Sequence, residues 1–189
     1  VTARPVDYFD SPLPTTWLVT DSRQTVRRDV IGLFNWDTPV LKADYACAKL
    51  GLDPAKTYHA FDFWANQPLS SFKGKFKSEV PANSCRVISV RAEVGHPLLV
   101  STSRHVTQGI VEVTGEEWNA ARKTLSGVSQ VVGNDSYELR LAGLNAGKKW
   151  ELTSAKVSAK DKAAGVAITL RPAVAGEEGW CRVGIDAKQ

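Results

Sequence analysis

The chain has 189 residues, 43% of them apolar and 23% charged, which is ordinary for a folded protein of one large or two small domains. Its net charge of +4 is spread evenly, with 12 basic against 10 acidic residues in 1–96 and the same in 97–189, so neither half holds the concentrated basic face that nucleic acid requires. No apolar run approaches the ~18 residues of a membrane span and no signal peptide opens the chain, so neither nucleic acid nor membrane is an expected partner.

A chain that opens on Val1 and holds no Met reads as a processed protein or as a piece of a larger one. Residues 1–24 carry Pro5, Pro12 and Pro14 with Tyr8, Phe9 and Trp17 between them. Proline fixes φ and lacks a ladder donor, so extended chain rather than sheet is expected there. Its large apolar side chains must bury, either against the β domain that follows or against a domain elsewhere.

From residue 26 the pattern turns to period two. Strands are expected over 26–35, 40–47, 57–64, 69–72, 75–80 and 85–92. For 40–47 a helix joining Leu41, Tyr45 and Ala48 competes, and Gly51 and Pro54 end either one. Lys73-Gly74 reads as a hairpin-like turn, and residues 81–84 as another. Regular strands stop at Glu93-Val94-Gly95-His96-Pro97, which places a boundary between a domain over 1–95 and a second over 96–189.

In the second half strands are expected over 98–101, 109–113, 117–125, 128–132, 137–142, 149–159, 165–171 and 179–185. Turns fall at 133–135, 145–147 and 175–176. Short alternating strands with turns between them, and no crossover helices, imply an all-β fold of two antiparallel sandwich-like domains in tandem, the second a β-sandwich or jelly roll.

The chemistry-bearing residues are sparse. There is no GxSxG, HExxH, P-loop or GxGxxG, so no nucleophile elbow, metal site or cofactor cradle is expected. His59, His96 and His105 stand at no ligand spacing, and a lone strand histidine is usually a packing residue. Cys47, Cys85 and Cys181 form no CxxC; Cys47 and Cys85 could form one disulfide, but buried free thiols are the simpler reading.

The candidate carboxylates for a glycosidase pair are Asp62 beside Trp64, Glu116-Glu117 before Trp118, Asp135 with Glu138, and Glu177-Glu178 before Trp180. Adjacent acids on a strand face opposite sides, and acids at turns bond their own backbone. No catalytic residue is expected. Among the six tryptophans, Trp118, Trp150 and Trp180 sit near strand starts, as core residues or as platforms for sugar rings. Trp118, flanked by Glu117 and Asn119, is the candidate carbohydrate contact.

Residues 29–91 contain Leu33-Phe34-Asn35, then Leu50-Gly51-Leu52, Asp62 with Trp64, and Val80-Pro81-Ala82, in that order. This run resembles the C-terminal antiparallel β domain of α-galactosidase-like (melibiase-type) glycoside hydrolases. Asn83 stands where that pattern often has Gly or His. The resemblance implies a stabilising β domain that packs on an upstream (β/α)₈ catalytic barrel, which would carry the catalytic acids. Residues 97–189 lie beyond the pattern and read as an appended β domain. Oligosaccharide or polysaccharide is a further candidate partner, contacted by the appended domain. The competing readings are a free-standing carbohydrate-binding or cell-surface adhesion module, and a catalytic β-sandwich hydrolase.

Overall fold

The computed structural model describes residues 1–144, 150–174 and 179–188. The chain forms two compact units, Val1–Glu93 and Val94–Gln189, and all strand pairing among the described residues is antiparallel.

The first unit begins with β1 (Ala3–Pro5) and β2 (Thr16–Asp21), so part of the expected extended lead-in is sheet. The reason is local. Residues 16–21 contain no proline, and Pro5 ends an edge strand, where a missing N–H costs nothing. Next come β3 (Arg28–Asn35), β4 (Leu41–Ala46), β5 (Thr57–Asp62), β6 (Gln67–Lys73), β7 (Lys75–Val80) and β8 (Ser84–Ala92). One sheet runs β1-β2-β3-β8-β5-β6, and β4 pairs with β7 as a second sheet.

Period two decides what lies between them. Leu18, Ile31, Leu33, Tyr58, Ala60, Ile88 and Val90 from the large sheet meet Ala43, Phe76 and Val80 from the small one. Cys47, Leu50 and Leu52 close the edge of this core, so helix and strand share 40–50: the strand ends at Ala46 and a 3-10 turn, Cys47–Leu50, follows. Gly51 terminates that turn at φ +67°, a conformation costly for any residue with a Cβ.

Lys73-Gly74 is not a hairpin turn. β6 and β7 belong to different sheets, and Gly74, at φ +73°, turns the chain through the corner between them. Its carbonyl accepts from Cys47 N at 2.9 Å, which fixes the corner against the 3-10 turn.

The second unit holds β9 (Leu98–Thr102), β10 (Val113–Asn119), β11 (Thr124–Ser129), β12 (Ser136–Ala142), β13 (Ala167–Val174) and β14 (Trp180–Lys188). Its sheet runs β13-β14-β12-β9, and β10 and β11 form a separate hairpin. Several expected strands differ. Residues 109–113 are mostly turn, because Gln108 and Gly109 take φ of +50° and +96° and Val113 N reaches back to Gly109 O at 3.2 Å.

Residues 117–125 are two strands rather than one. Lys123 adopts φ +51°, and the Asn119 side chain accepts from Arg122 N at 2.9 Å, which closes a turn between them. Pairing of the next segment stops at Ser129. Residues 150–158 form no strand; Ser158 instead caps a short helix, α1 (Ala159–Ala163), accepting from Asp161 N at 3.1 Å. The turns expected at 145–147 and 175–176 lie outside the described residues, as does Glu177-Glu178.

Candidate interaction surface

The residues that carry the sequence pattern have structural work in the first unit. Asn35, nearly buried at the end of β3, donates from Nδ2 to the carbonyls of Pro39, Val80 and Pro81 at 2.8, 3.0 and 3.0 Å. Its Oδ1 accepts from Asp37 N at 3.1 Å. One side chain therefore ties the large sheet to the turn before β4 and to the end of β7.

Asp62 plays the same part at the end of β5, where Oδ1 accepts from Trp64 N and Ala65 N, each at 3.1 Å. Its Oδ2 lies 3.4 Å from Arg86 Nε. Both carboxylate oxygens are thus committed to a turn and an ion pair.

Of the other candidate carboxylates among the described residues, Glu116 and Glu138 are engaged. Glu116 accepts from Leu99 N at 2.7 Å, while Glu117 is exposed. Glu138 pairs with Arg140 at 2.9 Å and Arg182 at 3.5 Å, and Asp135 is an exposed turn residue. Among the described residues, no three His, Cys, Asp or Glu side chains come together as a metal would need. Cys47, Cys85 and Cys181 are free thiols, and burial pushes those of Cys47 and Cys181 above their usual range. Burial likewise lowers the imidazole of His59, against a smaller opposing effect of Glu93.

The six indoles divide neither into core nor into open platforms. Trp17, Trp118, Trp150 and Trp180 are half-buried, while Trp36 and Trp64 are 52% and 59% exposed. Trp118 lies on β10 with the His96 imidazole stacked on it, centroids 5.1 Å apart and planes within 6°. Trp150 stands 6.1 Å away, tilted by 53°. One face of the expected sugar platform is therefore covered by His96.

The first unit carries the larger apolar exposure. Trp36 stacks on Phe34 at 5.5 Å and 7°, and its Nε1 donates to Pro14 O at 3.2 Å; Trp17 Nε1 reaches the same carbonyl at 3.4 Å. Gly32 leaves room for the Phe34 ring, since a Cβ there would lie 3.1 Å from it. Beyond Trp17 the chain presents Tyr8, Phe9 and Leu13, which are 62%, 97% and 61% exposed.

That segment is firmly held. The Asp7 carboxylate, 6% exposed, accepts from Thr15 N at 2.8 Å, Thr15 Oγ1 at 2.6 Å and Thr16 N at 3.1 Å. Burial alone would raise its pKa; the hydrogen bonds outweigh burial and hold the carboxyl below its ordinary value. Sequence reading singled out Tyr8 and Phe9 but missed Asp7 and Leu13. The available signal was an Asp eight and nine residues ahead of Thr15-Thr16, a spacing that only a closed loop makes meaningful.

Comparison with known proteins bears on this first unit. The model of the alpha galactosidase C-terminal beta sandwich domain matches residues 17–90, and so takes in β2, which lies outside the 29–91 resemblance. No curated protein matches the chain. Among solved structures, alpha-galactosidase I from Mortierella vinacea is similar over 47% of this chain and 22% of its own, with 16% identity and a TM-score of 0.36. A GH27 β-L-arabinopyranosidase from Geobacillus stearothermophilus is similar over 49% of this chain and 20% of its own, with 18% identity and a TM-score of 0.38. The match spans about a fifth of the length of either protein. Over residues 17–90 this chain is thus similar to the alpha galactosidase C-terminal beta sandwich domain.

Proposed function

We propose that this chain is a non-catalytic region of an α-galactosidase-type glycoside hydrolase, in which the first unit packs on a (β/α)₈ catalytic barrel and stabilises it. The observation that carries this reading is the family match over residues 17–90. It is supported by what the pattern residues do: Asn35 and Asp62 spend their polar atoms on joining strands and turns. Exposed aromatic side chains on the same unit give a second domain something to cover.

The finer part of the proposal is a carbohydrate contact in the second unit, carried by Trp118 through the ring surface left by His96. Titration of galactose-containing oligosaccharides into the protein tests it. Heat of binding that disappears in Trp118→Ala supports the contact, and no binding at millimolar sugar removes it.

The packing role is tested on the full-length protein that carries this segment, with and without residues 1–93. Loss of soluble, heat-resistant glycosidase activity on deletion is the expected result. A shortened enzyme with unchanged melting temperature and turnover overturns the reading.

A further inference from the structure

The segment from Asp7 to Thr15 poses a physical problem that the sandwich does not solve. Phe9 stands almost wholly in water, with Tyr8 set edge-on to it, ring centroids 5.2 Å apart and planes at 86°. A phenylalanine on a frayed end would need no explanation, but this turn is braced at both ends. Besides the three bonds to the Asp7 carboxylate, Asp7 O accepts from Asp10 N at 3.0 Å and Ser11 N at 3.2 Å. Ser11 Oγ donates to Leu13 O at 2.8 Å, and Asp10 is paired with Lys49 at 3.0 Å. The chain thus meets the entropy of ordering a loop in order to hold three apolar side chains out into solvent.

We propose that residues 7–15 are a preformed anchor that inserts Phe9, flanked by Tyr8 and Leu13, into an apolar socket of the catalytic barrel. This rests on the packing role proposed above. The choice of partner follows from area. An aromatic side chain buries ~150–250 Å², so the three together cover roughly 400–500 Å². A free-standing complex needs about 800 Å² per partner. The anchor is too small to hold a separate molecule or a second copy of this chain. It suffices for a domain joined covalently, where the effective concentration is on the order of millimolar.

A sugar is the poorer fit. Tyr8 and Phe9 offer no common flat face, and Asp10 on the same turn is already committed to Lys49. Preorganisation by Asp7 serves the anchor directly, because a loop held in its bound shape loses little freedom on docking.

The test is hydrogen exchange of the amides of residues 8–13, followed in the isolated chain and in the full-length protein, with glycosidase activity measured beside it. The expected result is exchange slower by about tenfold or more in the full-length protein. Phe9→Ser should abolish that protection while leaving the melting of the isolated chain unchanged, and Tyr8→Ser should weaken it. If the full-length protein is an active barrel glycosidase but exchange is the same with and without Phe9, the anchor is overturned and the packing role stands. A full-length protein without a barrel overturns both. Protection that appears in the isolated chain as its concentration rises points to a second copy, and also overturns the anchor.

Discussion

Asn35 and Asp7 show how much of the first unit hangs on single polar side chains. Asn35 satisfies three carbonyls and one amide at the meeting of two sheets. Asn35→Ala leaves those groups without their partner, and a buried unsatisfied group costs about 1–3 kcal/mol. Urea unfolding of the variant should therefore show a lower midpoint with an unchanged slope. A midpoint equal to wild type would mean that the turn before β4 needs no such tie.

Asp7 gives a pH dependence of definite sign. Its folded value lies below the 3.8 of an unperturbed Asp, so the folded state binds the proton less readily than the unfolded one. Its contribution is whole above the unfolded value and drains away as pH falls through the folded value. Asp7→Asn should thus be less stable than wild type at pH 7, and the gap should narrow in acid. Melting temperatures between pH 7 and about pH 3 measure it, and a gap that widens in acid contradicts the assigned role.

At the scale of elements, what the sequence made legible was period. The alternation in 26–35, 75–80 and 85–92 became β3, β7 and β8 within a residue or two. What stayed hidden were choices made by backbone rather than by side-chain pattern. Gly74 looked like the turn of a hairpin, but only the folded unit shows its neighbours on different sheets. Residues 109–113 are rich in β-branched side chains, yet positive φ at Gln108 and Gly109 curls the chain before it can pair. Residues 150–158, expected within a strand, stay irregular and have no partner strand among the described residues.

The indoles were unreadable for another reason. Half-burial at a sheet rim, as for Trp118 beneath His96, depends on neighbours distant in sequence. The corner at Gly74 can be tested directly. A Cβ there meets nothing within 4 Å, so Gly74→Ala probes backbone strain alone and should destabilise by about 1–2 kcal/mol. An alanine variant as stable as wild type would mean that the corner relaxes to negative φ.

For the whole molecule, the function proposed above places the chemistry on a barrel domain other than these two units. Asp62, the candidate acid of the first unit, is held by a turn and by Arg86. In the second unit Glu138 is held by Arg140 and Arg182. Retaining and inverting glycosidases need two carboxyls facing one scissile bond, with one of them free to carry a proton. The family match concerns residues 17–90, so the second unit is the part whose role rests on its own geometry.

The most direct measurement is hydrolysis of a nitrophenyl α-galactoside by the purified 189-residue chain, run beside the full-length protein that contains it. Turnover by the full-length protein and none above background by the chain alone is the expected result. Turnover by the isolated chain that is lost on substituting Asp62 or Glu138 by the corresponding amide would contradict it.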